Sequence, residues 1–270
     1  MKIIVCIKQV PATQKVAVDP VTGVLIRNGI ETKMNPYDLY AIHLAISIKK
    51  QTKATVTAIT MGPDSAIAVL NEAMALGCDH GVLISDRKFA GADVLATSYT
   101  LASVIQTIDK NVDLVIVGKQ TTDGDTAQVG AELATHLDRP FIGLVKGWYG
   151  LTDDSIRLST DQGHRYVDVT VKFPCVISVS EKVGQPDLPS YLKLSQVDLS
   201  AIQIIRFNDL GDQNSDHYGL SGSPTQVEKI FEPIHDVHHT VVDASPSACM
   251  DAFISTMVDN HWLAKENDHE

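Results

Sequence analysis

The sequence predicts an α/β fold with a Rossmann-like open parallel sheet, helices on both faces, a small antiparallel hairpin addition and an extended C-terminal arm. Strand-like apolar runs alternate with helix-like periodic runs from residue 1 to about residue 145. Such alternation implies parallel strands that are joined by right-handed crossovers. Between residues 147 and 180 the apolar period changes to two, which indicates antiparallel strands.

Each predicted element has its own local signals. The first strand is the β-branched run that begins at Lys2, and a later strand begins at Pro174, where no ladder donor is lost. Pro63 suits a first helical position, Gly77 suits a left-handed helix stop, and Ser245 suits an N-cap. The predicted strands are Lys2–Val10, Ala54–Thr60, Gly81–Ser85, Asp113–Gly118, Phe141–Lys146 and Phe173–Ser180. The predicted helices are Asp38–Lys50, Pro63–Leu76, Gly91–Asp109, Asp125–Leu137 and Ser245–Leu263.

The apolar pattern weakens after Pro186, and only short periodic pieces such as Ile202–Phe207 remain before the last helix. We therefore expect residues 1–190 to form the α/β domain and residues 191–270 to form an arm with a final helix. The apolar face of that helix either docks on a partner subunit or packs on its own domain. Its members are Cys249, Phe253, Met257 and Trp262.

Composition narrows the class of protein. The 270 residues are 44% hydrophobic and 20% charged, with no apolar run of membrane-spanning length, which is typical of a soluble globular chain. A net charge of −11 disfavours nucleic acid and anionic membranes as partners, because both need clustered cations. The four cysteines are far apart and form no CxxC pair, so we expect a reducing, cytoplasmic location.

The loop after the predicted strand Asp113–Gly118 carries the clearest functional signal. It leaves the carboxyl end of a parallel strand and opens a helix, where unpaired backbone N–H groups and the positive helix dipole suit a diphosphate. Asp125 and Gln128 match a capping box, and Gly124 lets the backbone approach a ligand closely. The alternative is an ordinary capped turn, of which open α/β sheets contain several.

Three further loops are expected beside this one. Ligands of open α/β sheets bind outside the carboxyl ends of the strands, near a topological switch point. Asn35 and Asp38 flank a helix start, so they act either as N-caps or as contacts to an adenosine. The four converging segments are Cys6–Pro11, Met34–Asp38, Thr60–Pro63 and the loop after Val117.

Signals for direct catalysis by side chains are poor. The sequence contains no GxSxG, HExxH or GxxxxGK[ST] motif. His235, His238 and His239 lie in an irregular polar segment without cysteine partners, so they make a weak metal site and none is predicted. Any redox chemistry must therefore come from a bound cofactor.

Seven segments of the chain match one known family: Val5–Pro11, Asp19–Arg27, Asn35–Asp38, Met61–Pro63, Ala73–Asp79, Gly118–Gln120 and Phe173–Ile177. On these segments the chain resembles the beta subunit of electron transfer flavoproteins across nearly its whole length. In that family the beta subunit pairs with an FAD-bearing alpha subunit, and its loops hold either AMP or a second FAD. Carried over by position, the implied cofactor contacts are Cys6, Gln9, Val10, Asn35, Pro36, Tyr37, Asp38, Met61, Gly118, Lys119, Gln120, Thr121, Thr122, Asp123, Gly124, Asp125, Thr126, Ala127, Gln128 and Val129.

The sequence of one loop distinguishes two branches of that family. The AMP-holding branch tends to have consecutive acidic residues where this chain has Asp123-Gly124-Asp125-Thr126, so this chain resembles the flavin-bifurcating branch. There, NAD(H) exchanges a hydride with the beta-subunit FAD, and the two electrons part. One electron goes to ferredoxin and the other goes through the alpha-subunit FAD to a dehydrogenase. Asp86, Arg87, Phe89, Gly91 and Asp93 are candidates for the nicotinamide side.

The sequence constrains the identity of the partner dehydrogenase least of all the expected partners. Many relatives carry an Asn-x-Pro-Arg-Tyr segment and a lysine run that help to dock acyl-CoA dehydrogenases, and residues 185–198 lack both. The resemblance therefore favours an FAD-dependent dehydrogenase of the lactate or 2-hydroxy-acid type. Two alternatives stay open: an AMP-binding carrier for acyl-CoA dehydrogenases, and a non-redox adenine-nucleotide sensor of the universal-stress type.

Overall fold

A nine-stranded sheet forms the centre of the computed structural model, which describes residues 1–12, 31–228 and 241–263. The strands are β1 (Lys2–Cys6), β2 (Gln9–Pro11), β3 (Thr32–Met34), β4 (Thr55–Met61), β5 (His80–Ile84), β6 (Leu114–Gly118), β7 (Phe141–Leu151), β8 (Ser155–Asp161), β9 (Tyr166–Lys172), β10 (Cys175–Val179) and β11 (Ile202–Ile205). The helices are α1 (Pro36–Thr52), α2 (Ile67–Ala75), α3 (Val94–Ile108), α4 (Val129–His136), α5 (Tyr191–Ser195) and α6 (Pro246–Asp259).

The large sheet is parallel except at one end. Its order is β11-β5-β4-β1-β6-β10-β7-β8-β9, and the pairs from β11 to β7 are parallel. β7, β8 and β9 continue it as an antiparallel meander. The predicted fold class and its antiparallel addition are thus confirmed.

Helices cover both faces of the sheet, as they must when successive side chains of β1 point to opposite faces and are buried on both. Ile3 and Val5 pack toward α1 and α2, whereas Ile4 and Cys6 pack toward α3 and α4. Because every second residue of this strand faces the opposite layer, a buried parallel strand needs a continuous apolar run. Among the described residues, no helix is both long and apolar enough to cross a bilayer.

The first predicted strand, Lys2–Val10, is in fact two strands. β1 ends at Cys6, and the backbone then turns away to form β2. β2 pairs antiparallel with β3, just before α1 begins. This ribbon joins the end of the first strand to the start of the first helix, and the long-range pairing that creates it leaves no periodic signal.

The segment around residue 200 belongs to the sheet. β11 lies parallel to β5 and covers its outer edge, with Ile202 opposite Gly81 and Ile205 opposite Ile84. The short helix α5 precedes it, so residues 186–200 are more ordered than their lack of period predicted. The functional division at residue 190, between a nucleotide domain and a partner-contacting arm, stays a prediction.

The chain divides into two compact units, Met1–Ile230 and Phe231–Glu270. In the second unit, Ser245 caps α6 as predicted, since its Oγ accepts a hydrogen bond from the backbone N–H of Ala248 at 3.4 Å. The docking of the apolar face of this helix stays a prediction. Asp19–Arg27 and the three histidines of the weak metal signal lie outside the described residues.

Candidate functional site

A crevice opens where the strand order reverses. The chain goes from β1 through α1 to β4 on one side, and it later enters β6 on the other side of β1. The loops that follow β1 and β6 therefore separate at the carboxyl edge of the sheet. This is the switch point at which open α/β sheets bind their ligands.

Asn35 ties these two loops together from the start of α1. Its backbone N–H donates to the carbonyl of Lys8 at 2.8 Å, in the loop after β1. Its side-chain amide donates to the carbonyl of Gln120 at 2.9 Å, and its Oδ1 accepts from the N–H of Thr122 at 3.3 Å, both in the loop after β6. Although Asn35 occupies the N-cap position, its side chain makes no capping hydrogen bond.

Asp38 makes a second connection between the same loops. Its Oδ2 accepts a hydrogen bond from the backbone N–H of Lys8 at 2.8 Å, and its Oδ1 packs closely against Gly118 at the end of β6. A Cβ at Gly118 would lie 2.3 Å from Asp38 Oδ1 and 2.9 Å from the carbonyl carbon of Tyr37. Only glycine permits this close approach between β6 and α1.

Burial changes the acidity of the groups beneath the crevice. It raises the pKa of Asp38 to about 7, against the hydrogen bonds from Asn35, Lys8 and Gly118 and the charge of Lys8, which all act to lower it. Burial, and secondarily the charge of Asp38, raises the pKa of the Cys6 thiol far above its usual range. Cys6 is therefore an inert thiol and not a nucleophile.

An ion pair spans the crevice above Asp38. Lys8 Nζ lies 2.7 Å from Asp123 Oδ2 and 2.8 Å from Asp123 Oδ1. Burial alone would raise the pKa of Asp123, but the hydrogen bond and the positive charge of Lys8 hold it below its usual range. Lys8 was not among the predicted contacts. Its signal in the sequence is a cation that directly follows the apolar run ending at Ile7.

The loop after β6 presents its backbone to solvent. Thr122 to Gln128 are all exposed, and Asp125 and Ala127 have left-handed backbones with φ of 54° and 56°. The side chain of Gln120 donates a hydrogen bond to Asp125 and turns that carboxylate back toward the loop. Between the described residues, the N–H groups of Thr126, Ala127, Gln128 and Val129 find no acceptor.

The predicted capping box in this loop is wrong. α4 begins at Val129, Gln128 holds the N-cap position, and no side chain caps it. Asp125 lies three residues too early and is committed to Gln120. The uncapped N-terminus of α4 keeps its N–H groups and its positive dipole end directed at the crevice.

The loop after β4 borders the crevice on the other side. The side chain of Gln9 donates to the carbonyl of Ser65 at 3.1 Å and accepts from Ser65 Oγ at 3.2 Å. Gly62 donates its N–H to the carbonyl of Ile84, which keeps Met61 at the sheet edge. The predicted contacts Val10, Asn35 and Asp38 are buried, whereas Met61 and Tyr37 are partly accessible. Lys119 lies over the ring of Tyr37, with Nζ 5.1 Å from its centroid.

The residues suggested for a nicotinamide side have structural roles. Asp93 caps α3 by accepting from the N–H of Ala96 at 3.0 Å. Asp86 accepts from the N–H groups of Lys88 and Phe207. Phe89 is buried in an aromatic cluster whose other members include Phe207 and Tyr218. Of the side chains in this suggestion, Arg87 is the one that is exposed.

Comparison with known proteins shows which protein family the chain matches. The family model described as "Electron transfer flavoprotein domain" matches residues 22–202. The electron transfer flavoprotein subunit beta of Clostridium acetobutylicum is 36% identical, and the match covers 97% of this chain and 100% of the relative. Protein FixA of Azorhizobium caulinodans is 36% identical, with 94% and 93% covered. The caffeyl-CoA reductase-Etf complex subunit CarD of Acetobacterium woodii is 38% identical, with 86% and 88% covered.

Proposed function

Because this chain belongs to the beta subunits of the electron transfer flavoprotein family, we propose that its crevice holds a flavin adenine dinucleotide between the loops after β1, β4 and β6. Beta subunits of this family pair with an alpha subunit and serve partner redox enzymes. The observation that carries the proposal is the loop from Thr122 to Val129. Its backbone is exposed, and it runs into an uncapped helix N-terminus.

The donors in the crevice fit the diphosphate of such a cofactor. The N–H groups of residues 126 to 129 offer hydrogen bonds, and α4 adds the positive end of its dipole. The ammonium group of Lys8 lies against this loop, 2.7 Å from Asp123 Oδ2. The two carboxylates of the loop do not oppose binding strongly, because Asp123 is paired with Lys8 and Asp125 is held by Gln120. When bound, FAD supplies the hydride and one-electron chemistry that the side chains lack.

We further propose that this FAD is of the bifurcating type and exchanges a hydride with NAD(H). The support is the sequence Asp123-Gly124-Asp125-Thr126, which resembles that branch of the family. Gly124 removes one carboxylate from the loop. The chain would then couple ferredoxin to a partner dehydrogenase, for which a lactate or 2-hydroxy-acid enzyme is favoured. That one relative bears the name of a reductase complex supports a stable partner enzyme.

Residues 186–200 are the proposed docking surface for that dehydrogenase. Leu188, Tyr191 and Leu192 expose 81%, 87% and 64% of their surfaces. They lie on and before α5, which packs beside α2 and is therefore held in place. An ordered, exposed apolar patch of this kind is typical of a protein interface. The alternative, a linker that packs on the chain's own C-terminal arm, is separated from docking by the mutation described below.

Counting nucleotides tests the proposal directly. The alpha–beta complex is purified, denatured and filtered, and the released nucleotides are separated by chromatography. Two FAD per heterodimer are expected. One FAD with one AMP would contradict the bifurcating type and favour the simple carrier for acyl-CoA dehydrogenases. One FAD without any second adenine nucleotide would contradict the crevice as a binding site. Membership of the family removes the universal-stress alternative.

Rapid mixing of the same complex with NADH tests the hydride step separately. Loss of flavin absorbance by an amount equal to one FAD per heterodimer is expected. A complex with two FAD that NADH does not bleach would retain the cofactor proposal and contradict the proposed exchange with NAD(H).

A further inference from the structure

Among the buried residues of the predicted cofactor contacts, two carry polar amide or carboxylate side chains. Asn35 is 0% exposed and Asp38 is 4% exposed. We propose that they are positioning residues: they form a latch between the loop after β1 and the loop after β6, and this latch determines how tightly the crevice binds an adenine nucleotide. The inference rests on the proposed function. We call the pair the Asn35–Asp38 latch.

The latch residues contact backbone groups of both loops. Lys8 is held twice, because Asp38 accepts from its N–H and its carbonyl accepts from the N–H of Asn35. The other loop is held at Gln120 and Thr122 by Asn35, and Asp38 packs against Gly118 at the end of β6, where that loop starts. Both latch residues belong to the start of α1, whose first position is Pro36. A helix of 17 residues is a rigid frame for these contacts.

The grip ends where the proposed binding surface begins. Thr122 is the last latched residue, and the exposed stretch with the two left-handed residues starts there. The other latched loop carries Lys8, whose side chain reaches across to Asp123. The distance between the cation and the backbone donors is therefore set by contacts below the crevice. A binding site whose parts are held in place before the ligand arrives loses less entropy on binding.

The charge on Asp38 should matter for this function. An ionised carboxylate only accepts hydrogen bonds, such as the one from the N–H of Lys8, whereas protonation turns one oxygen into a donor. The titratable and charged groups that act on Asp38 are the Cys6 thiol on β1 and the Lys8 ammonium in the loop after it. Burial places the pKa of Asp38 at about 7, so the latch weakens as the pH falls below neutrality.

Titration of the full chain with AMP and with FAD, by calorimetry and by flavin fluorescence, tests the latch. Asp38→Asn should weaken binding about tenfold at pH 8, since one charge-assisted hydrogen bond is lost. Wild-type affinity for FAD should fall between pH 8 and pH 5.5, and that of Asp38→Asn should stay level, because the diphosphate of FAD, unlike the phosphate of AMP, does not titrate in this range. Asn35→Ala should also weaken binding but retain the pH dependence. A purely structural role would not produce this difference in pH profiles.

Asp113→Asn is the matched control. Asp113 also accepts a backbone hydrogen bond, from Lys2 at 2.7 Å, but at the opposite edge of the sheet. Its variant should bind like the wild type at pH 8. The latch is wrong if Asp38→Asn binds as tightly as the control, or if its pH profile matches that of the wild type. A wild-type chain that binds neither AMP nor FAD would instead contradict the proposed function.

Discussion

Lys8 and Asp123 join the two sides of the crevice, with Nζ and Oδ2 2.7 Å apart although 115 residues separate them in the chain. Both side chains are partly exposed, so the pair itself stabilises the fold by no more than about 1 kcal/mol. Its larger effect is on charge. The pair keeps the Lys8 ammonium group beside the exposed loop and keeps the Asp123 carboxylate bonded to a cation.

Lys8→Met should therefore affect binding more than stability. We expect the affinity for AMP and FAD to fall about tenfold, because a charge-assisted contact is lost and Asp123 is left unpaired. The free energy of unfolding should change by less than about 1 kcal/mol. Lys2→Met is the matched control, since Lys2 forms an equally short exposed ion pair with Asp109 at the other edge. If the two variants bind AMP and FAD with equal affinity, Lys8 does not contribute to the binding site.

Gly124→Asp should weaken or abolish the FAD of this chain while it leaves the fold intact. A Cβ at Gly124 would lie 3.3 Å from Thr121 Oγ1, in an exposed loop that can adjust. The added carboxylate costs about 1 to 4 kcal/mol beside a diphosphate, depending on solvent access. Flavin content per heterodimer is the measurement. Gly124→Ala adds the Cβ without the charge and should retain the flavin; if both variants stay fully loaded, the diphosphate lies elsewhere.

Gly118→Ala should destabilise the protein strongly. The new methyl group would overlap Asp38 Oδ1 and the backbone of Tyr37, and neither the buried carboxylate nor the helix backbone can move aside. We expect a loss of about 2 to 3 kcal/mol in the free energy of unfolding. Gly147→Ala is the control, because a Cβ there meets nothing within 4 Å. Urea denaturation compares the two, and a Gly118 variant as stable as the control would contradict this packing.

Asp38 should also make the stability of the nucleotide-free chain depend on pH. Its pKa is raised from an ordinary 3.8 to about 7, so its protonated form is favoured in the folded state. The stability that this provides is complete below pH 3.8 and is lost as the pH rises through 7. Between pH 5 and pH 8, wild-type chain should lose stability relative to Asp38→Asn, in urea titrations at each pH. Parallel curves for the two chains would show that Asp38 does not titrate in this range.

Replacing Leu192 and Leu194 with Ser should loosen the partner dehydrogenase and leave flavin content and alpha–beta pairing unchanged. Leu194 is only partly exposed, so Leu192→Ser alone separates docking from the packing of α5. Leu95→Ser, at an exposed position on α3, is the control. Unchanged recovery of the dehydrogenase in pull-down would contradict the docking surface. Recovery of an acyl-CoA dehydrogenase in place of a 2-hydroxy-acid enzyme would contradict the expected partner.

Local patterns predicted the layers of this fold well, because they record which face of each element is buried. The continuous apolar run from Ile3 to Cys6 predicted the first strand, and Ser245 predicted the start of α6. The edge strand β11 was read as an isolated piece, since its partner β5 lies more than a hundred residues earlier. Pairing at that distance has no signature in either segment alone.

In the candidate site, residue types were predicted more reliably than their roles. Asn35 and Asp38 have the composition of an N-terminal cap, but no side chain caps α1 by a hydrogen bond. Their side chains bond to loops that only the folded sheet brings near. The same applies to Asp125, whose left-handed backbone and bond to Gln120 exclude it from capping α4. Tertiary contacts outweighed local propensity at each of these positions.

The position of β10 has a consequence for how the chain is assembled during synthesis. β10 lies between β6 and β7 and is made after both, as well as after β8 and β9. A nascent chain that ends at Lys172 therefore lacks the strand that joins β1, β4, β5 and β6 to β7, β8 and β9. The few residues from Cys175 to Val179 join them. The strand that connects the two parts of the sheet is thus synthesised after both of them.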